Sequence, residues 1–502
     1  AWLEKLLASN GLGRDEFVEQ WLNAHGNLER NARSKATPPI VTSQWRVPVA
    51  NFPEDERVIS ERLRELQTSG TPPIPSPHAL AVGDQIIMRT TRRVFGVDFA
   101  TGLRIWEWPW DDEPDVDANN RMKIPTAGNR TEWSTALAER MWSDLPYGHM
   151  SSNEKSVFAI SNLGVIPQST NQVIFAIRSR NSLPTSNQLA SLSLAREGSL
   201  EWIIGGENGA DEPKLAKAFF LGPPLPDDNV LYCLVEIRDE VRLVALDPET
   251  GKLRWQQQLA HVEGVGVNAM NSRRIAGAAP SFSNGVLVCP TGAGVVVAID
   301  TSSRSLLWGY EYQSVLKPVQ RAQAFINRNS KSQQLEWIEN APIIHQGIIV
   351  LAPPDSPWLY ALDLLNGTPV WSPQKRDGHL YIGCVANNCI VLVGRDKITG
   401  VRLSDGEQIW QKKLTAMPSG RGICTGTEFL LPLTSAELLT FDINTGNIVR
   451  TSTTEFMLGN LISFKEHIVS HGAQYLTSFH QVGHLRKVTA QRLQTDPDDI
   501  SA

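Results

Sequence analysis

The sequence is poor in the residues that usually announce chemistry. Five cysteines in 502 residues, Cys233, Cys289, Cys384, Cys389 and Cys424, form no CxxC or CxxCH, which argues against a zinc ribbon or an attached haem. No apolar run approaches the roughly 18 residues of a membrane helix. There is no block of like charge, and the formal net charge is −6, so the basic stripe that neutralises nucleic-acid phosphates is missing. Ten histidines are scattered without HExxH or paired-ligand spacing and read as loop or blade-surface residues, His149, His345, His379, His467 and His471 among them. No G-x-S-x-G elbow is present, and "GAGVVV" (292–297) has no helix after it to cradle a phosphate. The acidic stretch "DDEPDVDANN" (111–120) lacks the central Gly and the closing Glu of a calcium loop.

What is present is repetition. "ALDPETGKLRW" (245–255) carries an Asp, a Thr-Gly pair and a Trp four residues beyond the Gly. The same Gly-to-Trp step recurs in "VDFATGLRIW" ending at Trp106, "LAREGSLEW" at Trp202, "LDLLNGTPVW" at Trp371 and "LSDGEQIW" at Trp410. Two copies are degraded. "AIDTSSRSLLW" keeps Asp300 and Trp308 without the Gly, and "FDINTGNIV" keeps Asp442 and Gly446 but has Arg450 where the Trp would stand.

Each copy follows two β-rich runs joined by a turn, clearest in "APSFSNGVLVCPT" (279–291), "APIIHQGIIVLAP" (341–353) and "GICTGTEFLLPL" (422–433). Four short strands per roughly 40 to 55 residues is the pattern of a propeller blade. Within it Gly251 supplies the positive φ of a tight turn, and Asp247 accepts backbone N–H groups across that turn. Val244 and Leu246 alternate with Leu243 and Ala245, one pair for each neighbouring blade. Trp255 is large enough to cover the next blade's turn.

Seven units end at Trp106, Trp202, Trp255, Trp308, Trp371, Trp410 and Arg450. An eighth, "NLISFKEHIVSHG" with "YLTSF", lacks a final strand, which "TSQWRVPV" around Trp45 can supply from the other end of the chain. The expected fold is therefore all-β, an eight-bladed propeller over residues 41–480. Residues 1–40 are expected to form an amino-terminal helical segment, and residues 481–502 a tail leading to a truncated helical repeat. Helices are expected at "DEFVEQWLNAHG" (15–26), "DERVISERLRELQTSG" (55–70) and "STALAERMW" (134–142). Long inserts fall at 107–145, 163–186 and 314–337, where recognition tends to reside. Cys384 and Cys389 flank "VANN", leaving two readings open: a disulfide across a hairpin, or two small buried hydrophobes.

The repeats resemble those of the pyrroloquinoline-quinone (PQQ) propeller superfamily, whose tryptophan-docking pattern A-x-D-x-x-T-G-x-x-x-W is met by "ALDPETGKLRW" at every defined position. "GAAPSFSNGVLVCPTGAGVVVAIDTSSRSLLWGYEY" (277–312) and "PSGRG" (418–422) are similar to uncharacterised planctomycete-type bacterial members, and the likeness runs over most of the chain. "AWLEKLLASNG" resembles the closing helix of a tetratricopeptide-type repeat, and "RLQTDPDDISA" the start of another. The resemblance implies Trp45, Trp106, Trp202, Asp247, Gly251, Trp255, Trp308, Trp371 and Trp410 as structural docking residues. It also implies PQQ and calcium, as in the superfamily's alcohol dehydrogenases. Those enzymes carry adjacent cysteines, a metal-binding Glu and Asn and a catalytic Asp, none of them in a recognisable motif here.

No catalytic residue, cofactor or metal is therefore expected, and PQQ with calcium stays as the alternative. The loops leading into the innermost strands, "NSRRIAG", "WIENAP", "DGHLY" and "PSGRG", place Arg273, Arg274, Glu339, Asn340, His379 and Arg421 at one mouth of the channel, suited to an anionic or polar ligand. The expected function is a non-catalytic scaffold that binds protein partners or cell-envelope material, resembling outer-membrane assembly propellers. Its expected setting is periplasmic, envelope-associated or secreted. PQQ-dependent oxidoreductase and small-ligand sensor are the alternatives.

Overall fold

The computed structural model describes residues 17–109, 130–161, 184–262, 264–268, 270–315 and 341–495. Eight antiparallel sheets stand around one axis. In chain order the blades span residues 80–108, 150–210, 219–261, 281–311, 343–375, 379–413 and 423–453. The eighth combines three strands of 460–480 with Trp45–Pro48, which pairs antiparallel to Tyr475–His480 as its outermost strand. This is the expected ring, closed by the expected strand. Blade 2 adds a short fifth strand, and in blade 3 two short pieces share the inner edge.

Each blade packs both faces against its neighbours, so its middle strands are buried on both sides. Leu243, Val244, Ala245 and Leu246 are all fully buried. Between blades 4 and 5, Val286, Val288, Val296 and Ala298 pack with Ile344, Ile349, Leu351 and Leu362 into one apolar cluster that includes Trp308.

The repeated motif does its work at these seams. Asp247 accepts from the backbone N–H groups of Glu249 and Thr250, both at 3.0 Å, and from the Thr250 hydroxyl. Gly251 holds a φ of +67°, and a Cβ there would sit 2.8 Å from the Trp202 ring of the preceding blade. The Trp202 indole N–H donates to Pro248 O at 3.0 Å. Trp45, Trp308, Trp371 and Trp410 repeat the arrangement on Phe99 O, Leu364 O, Leu403 O and Ile443 O at 2.8 to 3.0 Å. Trp106 covers Gly198 while its N–H bonds Gln85 Oε1. Both degraded copies have a cause. Blade 4 has Arg304 at φ 59° where others have Gly, and Trp255, which faces that turn, is only half-buried, with the Arg304 guanidinium 5.9 Å from its ring. Blade 8 has no turn before its outer strand because the chain is broken there, so a Trp at Arg450 would have no turn to cover.

The ring has two unlike faces. The turn face carries the first and third hairpin turns of each blade, and the loop face carries the turn between the second and third strands with the connections from each outer strand to the next inner strand. Helices α1 (Pro53–Thr68), α2 (Arg130–Ser143), α3 (Leu145–Gly148) and α4 (Asn271–Ala276) all lie in such connections. Helices α1 and α2 pack together, with Arg62 Nε 2.8 Å from Glu139 Oε1. Helix α5 (Val482–Thr495) leaves blade 8 on the turn face. No described helix is long and apolar enough to cross a membrane.

Two expectations are corrected, and of the two readings of Cys384 and Cys389 the buried free thiols hold. Residues 17–26 are not helical: their backbone bonds go to the ring, with Trp21 and Ala81 exchanging bonds of 2.9 and 3.0 Å, so no helical ladder forms. Residues 17–40 as a whole contain no helix, and residues 1–16 lie outside the described residues. Cys384 and Cys389 are free and buried. The two-residue turn Asn387-Asn388 sets Cys389 opposite Ala386 and Cys384 opposite Val391, so the sulfurs do not face each other. His345, His379, His467 and His471 lie in strands and are buried, and His149, in the loop between α3 and blade 2, is buried as well, so none is on a blade surface.

Candidate functional site: the central channel

The residues expected at the loop-side mouth do not converge. Arg273 and Arg274 sit in α4 but turn to different partners. Arg273 is buried in an ion pair with Glu236 and donates to Gly292 O at 3.1 Å and Thr291 O at 2.8 Å. Those bonds tie the α4 loop to blades 3 and 4. Arg274 lays its guanidinium 4.6 Å from the Phe219 ring and donates to Pro184 O at 2.7 Å, and burial draws its pKa down to about 10. His379 bonds Arg376 O through Nδ1 and the Thr399 hydroxyl through Nε2 at 2.9 Å, and burial lowers its pKa to about 4. Arg421 is buried, receives Asn460 Oδ1 at its backbone N–H and lies 5.6 Å from the Tyr381 ring. Glu339 and Asn340 lie outside the described residues, as do the acidic stretch 111–120 and most of the other two inserts.

A tighter group lies beside them that sequence reasoning missed. The Tyr147 ring has Arg89 at 3.9 Å and Arg140 at 4.6 Å. Asp144 caps α3 by accepting from Tyr147 N at 3.0 Å, and burial raises its pKa against the pull of Arg140, Arg89 and Arg274. Helix α3 is a single turn starting at Leu145-Pro146, too short for a periodic signal.

The channel itself is filled by the chain. Residues 17–40 thread the turn-side mouth and bond to blade after blade. Trp21 bonds blade 1 at Ala81, and Leu22 O accepts from Ser152 N of blade 2 at 2.8 Å. Leu28 O accepts from Phe282 N of blade 4 and Glu29 O from Ile344 N of blade 5, both at 2.9 Å. Arg30 donates to Pro280 O, Arg33 meets His345 Nε2 at 3.3 Å, and the Asn31 side chain exchanges bonds with Val385 of blade 6. Ser34 N reaches Cys424 O of blade 7, and Ile40 N reaches His480 O of blade 8. Inside the mouth Trp21 stacks on His78, centroids 6.4 Å apart, and His25 meets His149 edge-on at 6.5 Å. Burial drives the pKa of His78 down to about 3, so it is neutral near pH 7.

The family model described as outer membrane protein assembly factor BamB matches residues 186–332 and 239–452, which together cover just over half of the chain. The chain belongs to this family of PQQ-like β-propellers. BamB from Moraxella catarrhalis is 12% identical, with a TM-score of 0.51 over 88% of this chain and 100% of that one. A europium-containing methanol dehydrogenase is 11% identical, TM-score 0.53, covering 97% and 94%. The quinohemoprotein alcohol dehydrogenase from Comamonas testosteroni is 10% identical, TM-score 0.55, covering 95% and 84%. Similarity at these identities is similarity of fold, shared by an assembly factor and by enzymes alike. No curated protein matches the sequence.

The sequence has no adjacent cysteines, and among the described residues no three His, Cys, Asp or Glu side chains group closely enough to hold a metal.

Proposed function

We propose that the chain is a non-catalytic propeller scaffold that binds proteins or cell-envelope components on its loop face. The observation that carries this reading is the occupied channel: the space where a propeller of this kind would take a ligand on its axis is given to residues 17–40. The family match to an outer membrane assembly factor supports a protein partner and an envelope setting. Helices α1 to α4 and the described ends of all three inserts gather on the loop face, which supports that face as the partner surface. The similarity to quinoprotein dehydrogenases favours a PQQ-dependent oxidoreductase as the second reading.

Purified protein incubated with PQQ and calcium, then desalted, separates the two. The scaffold reading expects a spectrum without quinone absorbance. A retained stoichiometric chromophore would overturn it.

A further inference from the structure

We propose that the turn-side mouth of the ring is a receptor for an extended peptide, that residues 17–40 are its occupant supplied in cis, and that the mouth accepts the same segment in trans. This goes beyond the scaffold reading and does not depend on it.

Four observations carry it. The segment has no helix or regular strand of its own; it folds back on itself through Val18–Arg33 and His25–Ala32 backbone bonds, and its remaining backbone bonds go to inner strands of separate blades, as a bound peptide's go to a receptor. Its buried surface has the composition of an interface rather than of a folding core. Asn23, Arg30, Asn31, Arg33 and Ser34 are buried beside one aromatic anchor, Trp21. Arginine and asparagine side chains there meet main-chain atoms of Pro280 and Val385, contacts that specify an occupant more than they stabilise a core.

The match is also incomplete. The Trp21 indole N–H and the Ser34 hydroxyl on the segment, and the Ser151 hydroxyl on the ring, are buried without a hydrogen-bond partner among the described residues. Finally, the segment is tethered to the ring's closing strand only through residues 41–44, where Val41 and Thr42 are exposed and no regular structure forms. Nothing in that tether requires the occupant of the mouth to belong to the same molecule.

The test uses the full chain with a protease recognition sequence inserted between Thr42 and Ser43, folded and then cleaved. The probe is a fluorescein-labelled synthetic peptide of residues 17–40. The cleaved protein is expected to take up the peptide saturably, the uncleaved protein to take up at least about tenfold less, and a peptide carrying Asn31→Ala to bind at least about tenfold more weakly. A cleaved protein that unfolds, or that takes up no peptide whether its own fragment leaves or stays, would overturn the proposal.

Amide hydrogen exchange on the intact chain gives an independent readout. The Val18, Trp21 and Ser34 amides, bonded to Arg33 O, Ala81 O and Cys424 O, are expected to exchange through a local opening about a hundredfold faster than mid-blade amides. Equal rates would mean that the segment opens only when the ring unfolds, and the proposal would fail.

Discussion

Trp410 and Trp255 hold the same position in the repeat and meet different neighbours. Trp410 covers Gly446 and donates to Ile443 O at 2.8 Å, whereas Trp255 faces a turn in which Arg304 has replaced the glycine. The large ring therefore buries fully in one case and half in the other. Trp410→Ala should cost about 3–5 kcal/mol, as for a large aromatic removed from a packed site. Trp255→Ala should cost less than half of that, since part of its surface already meets water. Urea midpoints of the two variants check the ranking, and equal losses would refute it. The best-preserved copy of the motif thus ends in a weak docking residue, because docking strength is set by the turn that receives the ring. Arg273 is the other residue with a clear expectation. Arg273→Ala leaves Glu236 buried without its cation and should cost about 3–5 kcal/mol. Adding Glu236→Gln should recover part of the loss in the same denaturation assay. A ligand-binding role alone would leave stability unchanged.

At the level of elements, the blades were legible and the helices partly so. Blades repeat, so five intact motifs taught how to read two broken ones, and the closing strand at Trp45 followed from counting. Helices α1 and α2 were legible because 16 and 14 residues hold a full amphipathic pattern. Residues 17–26 misled for a physical reason. Val18, Trp21, Leu22 and His25 are spaced as a helix face would be, yet Trp21 and Leu22 bond blades 1 and 2 while Val18 and His25 bond Arg33 and Ala32 further along, and local periodicity carries no information about such distant bonds. Arg273 and Arg274 lie in α4, His379 opens the inner strand of blade 6, and Arg421 precedes that of blade 7. Their partners, such as Glu236, Phe219 and Thr399, come from other strands, so whether they faced a ligand or the protein was beyond the sequence.

For the whole molecule, the buried histidines set the response to acid. Burial lowers the pKa of His78 from the ordinary 6.5 to about 3, and those of His379 and His471 to about 4. The unfolded chain therefore binds more protons than the folded one below pH 6.5. The stability these groups contribute is fully present above that value and is lost as pH falls through 6.5 toward 4. Each accounts for about 2–3 kcal/mol by pH 4.5, two pH units below the ordinary value. Thermal melts from pH 7.5 to 4.5 should show a steady loss, and His471→Gln should flatten it. A melting temperature unchanged across that range would refute the burial of these imidazoles.

The ring is sewn shut by its own beginning, and this bears on its birth as well as its stability. Residues 17–48 are synthesised before every blade they bind, yet the strand Trp45–Pro48 must pair with Tyr475–His480, and Ile40 with His480. During translation the strand Trp45–Pro48 waits for Tyr475–His480 while the blades between them are made. A ribosome stalled at any point before residue 480 holds an open crescent with raw edges at both ends.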